Sequence, residues 1–234
     1  MLLSKERLVI LTVGVAVAGL AISAAGNARA NLILNGNFSA NAANYTNFPG
    51  YSSSPNPTSP TDWTVSVPAN QGVNGPDTGF FTDTTNGGSP FAPSSTTGVN
   101  DFAFLQGAGN ISQTITTTNG QAYTITYDAA ERAGETADVL NLVVTNATDS
   151  TQIGTQSPAI SDAAFNAFTL QFTATSASTT IEFVNGAPTT GPNAGETVDV
   201  SNVAVSPVPE PATLGLMGVG SLGLMFIGRR RARM

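Results

Sequence analysis

The chain has 234 residues, of which 41% are hydrophobic, only 10% are charged and none is His or Cys. Without imidazole or thiolate there is no Ser-His-Asp triad, no Cys nucleophile and no ordinary zinc site, which leaves carboxylate chemistry, oxygen ligation of a calcium-type ion, or no catalysis. Seven of the eight cations precede residue 31 or follow residue 228, so residues 31–206 hold thirteen acids against Arg132 alone, a net charge of −12 that repels nucleic acid and anionic lipid.

At the N-terminal end, Lys5 and Arg7 precede an uncharged apolar run from Leu8 to Ala25. Ala28-Arg29-Ala30 then sets small residues at alternate positions, as signal peptidase requires. Residues 1–30 are therefore expected to be a signal peptide and Asn31 the first mature residue. An uncleaved membrane anchor is the other reading, and either takes the body out of the cytoplasm.

The body, residues 31–206, reads as all-β. Tyr123, Ile125 and Tyr127 alternate with Thr124, Thr126 and Asp128, and Phe168, Leu170 and Phe172 alternate with Thr169, Gln171 and Thr173. This period of two belongs to strands with one buried face. Further strands are expected at Leu32–Leu34, Trp63–Val67, Phe102–Leu105, Ile111–Thr116, Val139–Thr145, Thr179–Val184 and Thr197–Val205, separated by turn formers such as Asn119-Gly120 and Asn185-Gly186. Apart from the Trp63 strand, residues 40–100 are crowded with Asn, Ser, Thr, Pro and Gly and are expected to be long loops. Short strands at this spacing predict a single jelly-roll-like β-sandwich, flanked by the signal peptide and one C-terminal transmembrane helix.

The tail, residues 207–234, has three parts: Val208-Pro209-Glu210-Pro211, an apolar Gly-rich run over 212–227, and the cations Arg229, Arg230, Arg231 and Arg233. The prolines forbid helix and leave an extended peptide. Sixteen helical residues would rise about 24 Å against a hydrocarbon core of about 30 Å, a marginal span, and the arginines would stay cytoplasmic. This order of parts resembles the PEP-CTERM sorting signal of exported bacterial proteins. The resemblance implies recognition by exosortase, a transient inner-membrane anchor, and then a cell-surface or extracellular location. An ordinary C-terminal anchor with a Pro-rich stalk is the alternative.

Within the body, Asn31-Leu32-Ile33-Leu34-Asn35-Gly36-Asn37-Phe38, Trp63, Ile111-Ser112-Gln113-Thr114-Ile115, Tyr123 to Arg132, and Val198-Asp199-Val200-Ser201-Asn202-Val203-Ala204-Val205 resemble landmarks of galactose-binding-like jelly rolls, found among carbohydrate-binding modules. That resemblance implies a structural calcium joining the first strand to the last. Asp199 matches one ligand position, while Ser39 stands where the family has an acid. The other reading makes Asp199 a solvated strand residue or turn acceptor.

Sugar binding would use exposed aromatic faces with neutral hydrogen bonds. Tyr51 and Phe80 lead that list, with Tyr45, Phe48, Phe81 and Phe91; the same residues could instead plug the ends of the sandwich, and Trp63 is assigned to the core. Asp128, Glu131, Glu135 and Asp138 form the densest acidic cluster, the one place for carboxylate-dependent glycan hydrolysis, although acids in such a loop sit where water is and Arg132 should pair with one of them. The sequence thus describes an exported, non-enzymatic envelope or extracellular-matrix protein that binds extracellular polysaccharide, with glycan hydrolysis as the alternative.

Overall fold

The computed structural model describes residues 30–40, 61–66, 78–82, 93–95, 97–99, 101–107, 109–135, 139–186 and 196–209. Among them are ten strands: β1 (Thr64–Ser66), β2 (Thr78–Thr82), β3 (Asp101–Gln106), β4 (Asn110–Thr116), β5 (Ala122–Glu131), β6 (Leu140–Asn146), β7 (Gln152–Gln156), β8 (Asn166–Thr173), β9 (Ser178–Asn185) and β10 (Thr197–Pro207). They form two antiparallel five-stranded sheets, ordered β1-β4-β9-β6-β7 and β2-β3-β10-β5-β8. The architecture is a β-sandwich.

The alternation legible in the sequence builds the space between the sheets. Tyr123, Ile125, Tyr127 and Ala129 of β5 face Ile181 and Phe183 of β9 and Leu140, Leu142 and Val144 of β6, all within one buried cluster. Aromatic pairs set the register of β5 against β8: Tyr123 stacks on Phe172 at 5.4 Å, and Tyr127 lies opposite Phe168 at 5.6 Å. Tyr127 also meets Phe183 of the other sheet edge-on at 5.1 Å, and its hydroxyl donates to Gln156 Oε1 at 3.0 Å. Burial holds that phenol above the ordinary tyrosine range. Across one end, Asn185 Nδ2 donates to the carbonyls of Leu105 and Glu196, both at 2.8 Å, tying β9 to the second sheet.

Three expectations need correction. Residues 32–34 are not a regular strand, because side chains occupy the bonds a ladder would use. Asn31 Oδ1 accepts from Ile33 N at 3.0 Å, and the Gln113 amide both accepts from Leu34 N at 2.8 Å and donates to Leu34 O at 3.0 Å. β2 crosses the stretch expected to be loop, where Thr78-Gly79-Phe80-Phe81-Thr82 pairs with β3 without any alternation to betray it. β7 was not expected, since it carries one apolar side chain. Its core position is Gly154, where a Cβ would already stand 3.4 Å from Phe172 and Val144. Among the described residues no helix is long and apolar enough to cross a membrane, and the run 212–227 lies outside them.

Candidate functional site

The sequence landmarks meet at one pole of the sandwich. Leu32 N donates to Val205 O at 2.9 Å, Val205 N to Asn31 Oδ1 at 2.9 Å, and Val203 N to Gly36 O at 2.9 Å, so residues 31–36 flank the C-terminal half of β10. The approach at Gly36 is close enough that a Cβ would lie 2.0 Å from Val203 O, which admits only glycine. Asn35 and Phe38 on this side and Asn202 on the other adopt left-handed backbone, at the irregularity where β10 shifts register between Ser201 and Ala204. Trp63 locks the turn: its Nε1 donates to Asn35 O at 3.1 Å and its ring packs on Phe38 at 5.2 Å. The joint leaves a cleft of about 390 Å³ lined by Asn31, Asn35, Asn37 and Asn202, of which Asn31, Asn37 and Asn202 are exposed. Reasoning from sequence missed this cleft, although four asparagines in two landmark segments were its signal.

Asp199 lies elsewhere. Val198 and Val200 face the intersheet core, so Thr197, Asp199 and Ser201 face outward from the second sheet, yet they are 0%, 0% and 1% exposed. They share that outer face with Phe102 and Phe104, which cluster with Val99 and Phe165. Asp199 is therefore not solvated. Ser201 Oγ is committed to Asp101 O at 2.6 Å, and Ser39 Oγ to Asn37 Oδ1 at 3.0 Å. Among the described residues no three His, Cys, Asp or Glu side chains gather as a metal site.

The acidic cluster is dispersed. Asp128 shares the outer parity of β5 and accepts from Asn202 Nδ2 at 2.7 Å, whereas Glu131, three residues on, takes the opposite parity and is buried. Glu135 is structural: Oε2 accepts from Thr197 N at 2.5 Å, and Oε1 meets Arg132 Nη1 at 3.5 Å. Asp138 lies outside the described residues, as do Tyr45, Phe48, Tyr51 and Phe91. Phe80 stands in β2 opposite Ala103, and Phe81 opposite Phe102.

At the C-terminal end, β10 runs without a linker into the Pro-rich sequence. Pro207 pairs with Tyr123, and Val208 N donates to Ala122 O at 2.8 Å. Gln121 Nε2 donates to Val208 O and to Ala122 O, both at 2.9 Å. Val208 is half-buried and Pro209 exposed, while Glu210, Pro211 and Arg229, Arg230, Arg231 and Arg233 lie outside the described residues. At the other terminus Ala30 is exposed beside Asn31, and Ala28 lies outside the described residues.

Fold and junction together define a β-sandwich protein tagged for sorting at its C-terminal end, and the PEP-CTERM protein-sorting motif matches residues 207–231. The chain belongs to the family described as "Protein of unknown function (DUF642)", which matches residues 31–205. No curated protein matches. Among solved structures the chain is similar to the enzymatically active domain of tailspike protein 4 of bacteriophage CBA120, at 13% identity and a TM-score of 0.49, covering 76% of this chain and 21% of that one. It therefore spans about a fifth of that relative's length. It is also similar to TmCBM61 in complex with beta-1,4-galactotriose (11% identity, TM-score 0.48, 76% and 99% covered). A third is the CBM22-1 xylan-binding domain of Xyn10C from Paenibacillus barcinonensis (10% identity, TM-score 0.44, 65% and 90% covered).

Proposed function

We propose that the protein is an exported, non-enzymatic component of the cell envelope or extracellular matrix, trimmed by signal peptidase at Ala30 and by exosortase at the tail, whose body binds polysaccharide. The observation that carries the sorting half is the motif at 207–231, which begins where the last strand ends. Intact mass of the extracellular form tests it. Loss of residues 1–30 and of the apolar tail is expected, and an uncut chain as the main stable product in wild-type membranes would overturn it.

The binding half rests on surface chemistry. A body with a net charge of −12 gains nothing from ion pairing with acidic glycans, so contact must rest on neutral hydrogen bonds and aromatic stacking. The exposed amides of Asn37 and Asn202 offer the first. Tyr51 and Phe80 are proposed for the second. Binding to the producer's own matrix polysaccharide should then vary less than about threefold between low and high monovalent salt, because screening acts only where charge attraction contributes. Tyr51→Ala or Phe80→Ala should weaken it far more. Steep salt dependence, or full binding by both variants, would refute the platform.

A further inference from the structure

We infer that the folded body holds its own sorting motif closed, with Gln121 as the latch. The inference rests on the sorting role proposed above and adds the step that sets its rate. Peptidases commonly read a substrate as an extended strand, through its backbone N–H and C=O groups. At Val208, the first residue of Val-Pro-Glu-Pro, both groups are already occupied: N–H by Ala122 O at 2.8 Å, and C=O by Gln121 Nε2 at 2.9 Å. The same Gln121 nitrogen donates to Ala122 O at 2.9 Å, so one side chain clips the end of β10 and the start of β5 together.

The chain offers little room to bypass this. From Val208 to Ala212, where the apolar run begins, four residue steps reach at most about 14 Å, whatever their conformation. With the apolar run in the membrane, as the sorting role requires, the body stands no farther from it than that, and an enzyme working in that gap meets a strand end still paired to β5. Peeling must come first, and the structure sets its extent. At Val205, β10 is held on both flanks, by Ile125 in the ladder and by Asn31 and Leu32 on the other side. Beyond Val205 its partners among the described residues are β5 and Gln121. The unit that frays is Ser206 to Val208, and Gln121 is the side chain that resists it. Gln121 is a positioning residue: it acts before any peptide bond is broken and adds no chemistry of its own.

The test uses the full chain, with two readouts. In detergent micelles, amide exchange at Val208 should accelerate about three- to tenfold in Gln121→Ala, the factor one or two net hydrogen bonds confer, while Val205 N–H, held by Asn31, stays protected. In the producing cells, pulse-chase should show the tail lost faster by a similar factor. A four-residue Gly/Ser spacer between Pro207 and Val208 leaves Gln121 intact, detaches the motif from the body, and should speed processing at least as much. Unchanged exchange at Val208 in Gln121→Ala overturns the latch. So does faster exchange with unchanged or slower processing, or a spacer variant cut no faster than wild type. A wild-type chain that is never cut overturns the sorting role and the kinetic effect with it, whereas exchange at Val208 still decides whether Gln121 holds the motif.

Discussion

The two sheets share a core but present different outer faces. On the first sheet the outer positions of β4, β6 and β9 are half-exposed or exposed, and polar groups pair across strands: Thr114 with Thr180 at 2.9 Å, and Asn110 Nδ2 donating to Glu182 Oε1 at 2.9 Å. On the second sheet the central strands β3 and β10 are buried on both sides, with Phe102, Phe104, Thr197, Asp199 and Ser201 beneath an outer cover. Part of that cover is visible: Phe165 packs on Phe102 at 5.5 Å, and Val99 joins them and Phe104 in one buried cluster. The sandwich is thus wet on the outer side of the first sheet and covered on the outer side of the second over β3 and the first half of β10. Outward-facing residues therefore carry different weight on the two sides.

The largest test of that contrast is truncation. Phe104→Ala should cost about 3–5 kcal/mol in denaturant unfolding, as for a core phenylalanine, whereas Thr114→Ala should stay within about 0.5 kcal/mol. Equal costs would mean the second face is not a core. Hydroxyl removal is the next largest. Ser201→Ala removes the buried hydroxyl that donates to the half-buried Asp101 carbonyl and should cost about 1–2 kcal/mol, against a few tenths for Thr180→Ala.

Smaller still is the pH dependence. Burial raises the carboxyls of both Asp101 and Glu182 above their ordinary values, so the folded state binds their protons more tightly than the unfolded chain does. Their stabilising contribution is complete below the ordinary carboxylate range and declines as pH rises through it, and relief of the acidic body's self-repulsion on acidification works in the same direction. Asp149, lowered by its bond from Thr151 N, works the other way but is fully exposed. Tm should therefore be higher near pH 4 than at pH 7, with Asp101→Asn and Glu182→Gln each flattening the slope; a Tm that rises steadily from pH 4 to pH 7 would contradict this. The smallest expected effect is that of calcium. With no group of three acids at Asp199 among the described residues, millimolar calcium is expected to move Tm by less than about 1 °C. A rise abolished by Asp199→Asn would place an ion beneath the cover.

The sequence by itself determined what depends on period and on local chemistry. The alternation of β5 and β8, the core role of Trp63 and the order of the tail were all readable, because side-chain direction follows a two-residue period and a sorting motif is linear. Strands without that period were hidden: β7 puts Gly154, with no side chain, beside Phe172 and Val144, and β2 is held by pairing with β3 rather than by its own pattern. Burial of Asp199 was likewise invisible, since the polar alternation Thr197, Asp199, Ser201 looks wet until a second layer covers it. Only the tertiary structure brought Asn31 to Val205 and Gln121 to Val208, pairs separated by 174 and 87 positions. Such hydrogen bonds leave no period in the chain, because they depend on which strand ends the fold closes upon.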